Sequence, residues 1–221
     1  MKVLVIGASR GIGLELVRQY AGDGAKAVGT ARDDAGLARL RELGAEAIRL
    51  DVADAASAAG LAWPIDGAGF DVVIHNAGVY GPRTSGLEPP SEADFDRVMH
   101  VNVLGAMRVL PQLEDALAPG ARVAVISSKM GSIGGRGSSH GWLYRASKAA
   151  LNSLLKDASL AFDGRAICVA LHPGWVRTDM GGQGADLDVA ASVADLRRTI
   201  AGLTNADHGG FFDHDGTRLP W

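Results

Sequence analysis

Tyr144 and Lys148 stand four residues apart in the run Tyr144-Arg145-Ala146-Ser147-Lys148. On a helix that spacing puts a phenol and an ammonium on one face, one turn apart. Two unit charges about 4 Å apart interact by roughly 4 kcal/mol at an effective dielectric near 20, and one pKa unit corresponds to about 1.4 kcal/mol. The lysine can therefore draw the tyrosine from about 10 towards about 7, less what desolvation takes back. A phenol tuned in this way suits proton transfer near neutral pH. An ordinary amphipathic helix shows the same pair with the tyrosine packed and the lysine solvated, so the surrounding elements decide.

Short apolar runs recur along the chain: Val3 to Ile6, Ala27 to Thr30, Ala47 to Leu50, Val72 to Ile74, Val123 to Ile126 and Ile167 to Leu171. They read as strands buried on both faces. Helical periodicity lies between them, first in Leu14, Leu16, Val17 and Tyr20, then in Leu37, Leu40 and Leu43, where Gly44 is the stop. Ser91 to His100, Val103 to Leu117 and Leu143 to Phe162 read as three more helices. Alternating strand and helix means a parallel sheet covered by helices on both faces. Ligands in such sheets bind outside the carboxyl ends of the strands, where the strand order reverses. The candidate site residues all fall just after a strand or at a helix start.

Composition narrows the classes. No Pro/Ser-rich or charged linker divides the 221 residues, which favours one domain over 1–221. Thirty glycines without a Gly-X-Y period point to many tight turns and close backbone approaches. A net charge of -3 gives no electrostatic reason to expect nucleic acid or an anionic membrane as partner. Cys168, the single cysteine, lies in the apolar run Ala166 to Ala170 and reads as a buried inert thiol, not a nucleophile or metal ligand. No apolar stretch reaches the length of a membrane span and no leader pattern precedes the first strand, so a soluble cytoplasmic protein is expected.

Directly after the first strand comes Gly7-Ala8-Ser9-Arg10-Gly11-Ile12-Gly13, leading into a helix. Its glycines allow a tight turn, while the free N–H groups and the dipole of the helix start favour a pyrophosphate. The turn alone is equally an ordinary strand-to-helix connection; its place between strand one and a helix favours a dinucleotide, contacted by Gly7, Ser9, Arg10, Gly11, Ile12 and Gly13. At the end of the second strand an acidic residue would select NAD by holding the ribose 2′-hydroxyl, but here the chain has Thr30-Ala31-Arg32. Arg32 and Arg10 can both give paired, charge-assisted hydrogen bonds to a 2′-phosphate, so NADP(H) is expected over NAD(H). Asp33 and Asp34 beside Arg32 leave open a solvated surface arginine. After the third strand, Asp51 and Val52 can meet the adenine amino group and ring, or Asp51 can cap the next helix. Asn76-Ala77-Gly78, after the fourth strand, lets backbone lie close to a ribose and is otherwise a turn signal.

Together these residues resemble the classical short-chain dehydrogenase/reductase family over nearly the whole chain. The resemblance is carried, in order, by the glycine turn, Asp51, Asn76-Ala77-Gly78, Asn102, Ile126-Ser127-Ser128, the Tyr144/Lys148 pair, and Pro173-Gly174 with Thr178. His172 to Met180 and Asp215 to Trp221 look like the bacterial C-factor and sniffer-like carbonyl reductase branch. The fold class is therefore α/β, a single Rossmann-type doubly wound parallel sheet of about seven strands with helices on both faces.

The resemblance implies a role for each matching residue. Tyr144 would be the general acid/base, and Lys148 would lower its pKa and hold the nicotinamide ribose. Ser128 would hydrogen-bond the substrate oxygen; Ser127 competes for that role, and spacing from Tyr144 favours Ser128. Asn102 would kink its helix and hold a water joining Lys148 to solvent. Pro173, Gly174, Val176 and Thr178 would pass by the nicotinamide carboxamide and the phosphates. Two positions depart from the pattern: Ile6 stands where a threonine usually opens the glycine turn, and His75 where an asparagine usually precedes Asn76. Both threaten local hydrogen bonding more than chemistry, and His75 reads as a core histidine bonded to backbone. Asp179 to Ala190 is short and Gly-rich where the family often has a longer lid, which implies an open, permissive pocket.

The expected activity is hydride transfer between NADP(H) and a small carbonyl or alcohol. A nucleotide-binding sensor with vestigial catalysis is the competing reading, against which every catalytic position is filled. An epimerase or dehydratase on the same sheet normally needs a sizeable substrate domain beyond Thr178, which this sequence does not contain. Trp142, Trp175, Tyr80, Met130 and Met180 either line an apolar pocket or simply pack. The helices from Asn102 and Leu143 are the surfaces on which family members form homodimers and homotetramers; an apolar face reads the same against a core or a partner.

Overall fold

Val-, Ile- and Leu-rich runs without polar alternation need apolar cover on both faces, and helices supply it here. A computed structural model describes all 221 residues. The strands are β1 (Lys2–Ile6), β2 (Lys26–Ala31), β3 (Glu46–Arg49), β4 (Phe70–His75), β5 (Leu117–Ile126), β6 (Ala166–His172) and β7 (Gly210–Asp213). They form one parallel sheet in the order β3-β2-β1-β4-β5-β6-β7. The chain winds outward from β1 to β3, crosses back and winds the other way from β4 to β7. The carboxyl ends of β1 and β4 therefore flank the reversal, where the sheet opens a crevice.

Helices α1 (Gly11–Gly22), α2 (Asp34–Glu42) and α8 (Val189–Gly202) accompany one face of the sheet. Leu16, Val17, Leu40, Leu196 and Ile200 pack there against Val3, Val5, Ile74 and Ala124. The other face carries the short α3 (Ala55–Ala59) and α4 (Ala62–Ile65), then α5 (Glu92–Met99), α6 (Gly105–Val109) and the long α7 (Trp142–Ala161). Leu151 and Leu155 of α7 are fully buried with Leu4, Ile6, Val73 and Val125. Each such side chain contributes about 1.5–3 kcal/mol by leaving water, so α7 is held firmly against the strands that end at the crevice. No helix is long and apolar enough to cross a membrane.

Several elements differ from expectation. The helix expected from Val103 to Leu117 is broken: α6 ends at Val109, and a 3₁₀ stretch runs from Leu110 to Ala116. Pro111 at its start has no N–H and cannot extend an α-helical ladder. Before α6, His100–Leu104 forms a π-helical turn with Asn102 at its middle. Strand β3 is not buried on both faces, because it is the sheet edge and exposes Glu46 and Arg49. Gly44, at φ +74°, closes α2 as expected.

Candidate active site

The glycine turn is built against the β4 end. Gly7 has φ +81°, and a Cβ there would fall 2.7 Å from the Ala77 Cα, so the two turns touch backbone to backbone. Gly7 N donates to Thr30 Oγ1 at 2.9 Å, and Asn76 Nδ2 donates to the Gly7 carbonyl at 2.7 Å. Thr30 and Asn76 thus satisfy the turn, and Ile6, which replaces a polar residue, is simply core. No side chain caps α1, so its first-turn amides and the positive end of its dipole remain for an anion.

A cavity of about 410 Å³ opens between this turn and the ends of β2, β3 and β4. Gly7, Ser9, Arg10, Gly11 and Ile12 form its phosphate end, with Arg32 beyond β2 and Asp51 and Val52 beyond β3. Asn76, Ala77 and Gly78 form the wall after β4, and Thr178 faces them from beyond β6. The acidic neighbours of Arg32 are engaged elsewhere: Asp33 accepts from Gly36 N at 2.7 Å as the cap of α2, and Asp34 pairs with Arg49. Arg32 is exposed at the cavity with no carboxylate partner. Arg10 pairs with Asp179 across the cleft. Asp51 is not the helix cap; Asp54 caps α3, and Asp51 accepts from Ala53 N within its own turn while lining the cavity.

Six expected cofactor contacts, Gly13, Tyr144, Lys148, Pro173, Gly174 and Val176, do not line this cavity. Gly13 turns inward, where a Cβ would run into the Gly7 carbonyl, so it is a packing glycine. Gly174 lies against Leu187 and His214, the Pro173 carbonyl accepts from Ser192 Oγ at 2.6 Å, and Val176 is buried in a bridge with Leu187. Among residues missed, Val79, Val101 and Arg177 join the lining, each next to a recognised motif, and Met180, considered for a pocket, lines it too.

The chemical end lies deeper. Gly141, in the left-handed region at φ +64°, starts α7, which presents Tyr144 and Lys148 on one buried face. Ser128, two residues beyond β5, is in extended conformation, and its hydroxyl accepts from Met130 N at 3.1 Å. Ser127 is committed elsewhere, donating to Asn152 Oδ1 at 2.5 Å. Lys148 Nζ donates to the Ile126 carbonyl at 2.8 Å and lies 5.8 Å from the Tyr144 ring centre. Asn102 grips the β4 loop: its amide accepts from Val79 N and donates to Val79 O, each at 2.8 Å, and donates to Ser147 Oγ at 2.9 Å. A Cβ on Gly78 would sit 3.3 Å from Lys148 Nζ and 3.4 Å from Asn102 Oδ1, so both polar groups converge on the inner end of the cavity wall.

Burial dominates the electrostatics. It pushes the Tyr144 phenol above its usual range, and the Ser128 hydrogen bond only partly offsets this. The expected lowering by Lys148 is thus overturned: desolvation of a fully buried phenol outweighs an ammonium turned towards a backbone carbonyl. Burial also pulls Lys148 down to about 8. His75 is buried, but neither ring nitrogen has a hydrogen-bond partner, so the expected backbone bond is absent. Burial, with Lys148 nearby, lowers it to about 3. Cys168 is pushed up to about 12 by burial, as befits an inert thiol.

Comparison with known proteins places this geometry. The short chain dehydrogenase model matches residues 1–186. The C-signal protein of Myxococcus xanthus is 42% identical over 154 residues, covering 68% of this chain and 92% of that one. A carbonyl reductase of Pseudomonas aeruginosa in complex with NADP superposes with a TM-score of 0.87 at 32% identity, over 100% of this chain and 99% of that one. Carbonyl reductase Sniffer of D. melanogaster gives 0.85 at 31%, over 100% and 99%. The doubly wound sheet and its crevice define a nicotinamide-dependent oxidoreductase. The chain belongs to the short-chain dehydrogenase/reductase family.

Proposed function

We propose that this protein transfers hydride between NADP(H) and a small carbonyl or alcohol, with Tyr144 as the acid/base. The observation that carries the proposal is the placing of Tyr144 and Lys148 one turn apart on the buried face of α7, with Lys148 Nζ and Asn102 Oδ1 converging on Gly78 of the cavity wall. A bound NADPH supplies the hydride. The residues of the cavity fit that group: α1 offers uncapped amides to the pyrophosphate, Arg32 and Arg10 offer guanidinium groups to a 2′-phosphate, Asp51 and Val52 meet the adenine, and Asn76, Ala77 and Gly78 lie along a ribose.

Tyr144 and Ser128 hold the substrate oxygen as two preset donors, and Tyr144 gives up its proton as the alkoxide develops. A phenol raised by burial carries that proton throughout the neutral range, which reduction requires. Lys148, near 8, exchanges protons at working pH and holds the ribose from the β5 side. Asn102 keeps the β4 loop and α7 in register through Val79 and Ser147, and its backbone in the π-turn is where a water leading to Lys148 would bind. Thr178 closes the cleft from β6, with Pro173, Gly174 and Val176 shaping the loop behind it. We place the protein in the cytoplasm, as one domain that acts on small molecules.

The likeness to C-signal supports one other reading, a nucleotide-binding signal without turnover. Titration of NADPH against NADH, followed by a screen of aldehydes, ketones and quinones, separates the two. Tighter NADPH binding with turnover supports the reductase; tight binding with silence across the screen supports the signal.

A further inference from the structure

Asp213 ends β7 with its carboxylate nearly buried, and no step of the proposed reaction uses it. Its partner is Lys129, the residue directly after Ser128. From Asp213 the chain turns at Gly216, φ +89°, and runs back antiparallel along the β7 edge, with Asp213 N donating to Thr217 O at 2.8 Å and Leu219 N to Phe211 O at 2.7 Å. This returning segment delivers Pro220 and Trp221 onto the loop that follows Ser128. Ser132 Oγ donates to Pro220 O at 2.7 Å, and Ile133 N and Gly134 N donate to Trp221 O at 2.9 and 2.8 Å. The Trp221 ring stacks on Phe211 at 5.4 Å. On its other side the same loop presses on α7: a Cβ on Gly131 would lie 2.8 Å from the carbonyl carbon of Lys148.

The loop 129–135 is thus held between the returning segment and the turn of α7 that carries Lys148. A hydroxyl that must meet both Tyr144 and a substrate oxygen tolerates little displacement, since a shift of about 1 Å can cost up to roughly a hundredfold in rate. We propose that the segment 213–221 is a strap that positions Ser128, acting through Lys129 on Asp213 and through Ser132 on Pro220. The proposal rests on the assignment of Ser128 made above. Lys129 and Ser132 are positioning residues; neither touches substrate.

The test is a set of variants, Lys129→Ala, Lys129→Arg and Ser132→Ala, each made alone and in a Ser128→Ala background, with kcat, carbonyl KM and NADPH Kd measured. Lys129→Ala and Ser132→Ala are expected to lower kcat roughly tenfold with NADPH Kd within about twofold, and Lys129→Arg to restore most of the loss. In the Ser128→Ala background neither should lower kcat further, because groups acting as one unit are not additive. Losses that multiply in that background, or that fall equally on NADPH binding, would overturn the strap. Should Lys129→Ala fail to fold with Asp213 left unpaired, Ser132→Ala, which removes only one hydroxyl, decides alone. Full turnover by Ser128→Ala itself would overturn the serine assignment and the strap together, an outcome visible in that single variant.

Discussion

The ring of Tyr80 lies 4.5 Å from that of Tyr144, the two planes within 24° of parallel. Arg83 covers Tyr80 in turn, its guanidinium 5.1 Å from the ring centre, and reaches on to the Met180 carbonyl at 2.6 Å. Gly141 leaves the stack its space, since a Cβ there would fall 2.5 Å from the Tyr80 hydroxyl. The acid of the proposed reaction is therefore buttressed by a column running from the β4 loop to the segment beyond β6. Of the five side chains considered for an apolar pocket, Tyr80 stacks on Tyr144.

Removing the buttress should loosen the acid without emptying the cofactor site. Tyr80→Ala is expected to lower kcat by about tenfold, a stacked pair being worth roughly 0.5–1.5 kcal/mol beyond its buried area, while Tyr80→Phe stays near wild type. Steady-state kinetics of both variants at saturating NADPH check this.

Cofactor choice should reside in Arg32. A charge-assisted hydrogen bond contributes about 1.5–3 kcal/mol, so Arg32→Ala is expected to weaken NADPH about tenfold or more and to leave NADH nearly unchanged. Fluorescence titrations with the two cofactors measure the ratio. Arg10→Ala should have a smaller effect, because Arg10 is already shared with Asp179.

His75 should make the fold acid-sensitive. Unfolded, its imidazole takes a proton near 6.5; buried in the native state, it takes one only near 3. Between those values the unfolded chain binds more protons, so stability is present above 6.5 and is lost progressively as pH falls towards 3. At pH 5 the loss relative to pH 7 amounts to about 2 kcal/mol from this group. His75→Leu is expected to remove that part of the difference, read from urea unfolding at the two pH values. An equal loss in the variant would show that other groups set the acid limb.

Much of this was legible in the chain. The apolar runs located β1 to β6 within a few residues, apart from β5, whose start at Leu117 lies well before the apolar run at Val123. Strand β7 escaped because Gly210–Asp213 is four residues long and ends in a carboxylate, which pairs with Lys129 and accepts from His214 N. Helix α8 escaped although Val193, Leu196 and Ile200 carry helical spacing, its start hidden behind a Gly-rich stretch. Residue order could place Tyr144, Lys148 and Ser128 together but not fix their titration, because the pKa depends on how completely α7 is covered. The pair spacing suggested a phenol lowered by its ammonium; the burial of the inner face of α7, with Tyr80 stacked on the ring, makes burial the larger effect. In the same way Ile6 and His75 both looked like threats to hydrogen bonding, and only the fold separates them: Thr30 and Asn76 repair the first, and nothing partners the second.

The most direct measurement is NADPH oxidation by Tyr144→Phe, with a carbonyl that the wild type reduces, alongside NADPH Kd. The variant keeps the ring and its stack on Tyr80 but has no proton to give. Turnover should fall by at least about a hundredfold while Kd changes by less than about twofold. Turnover within a few-fold of wild type at unchanged Kd would contradict the assignment of Tyr144 as the acid.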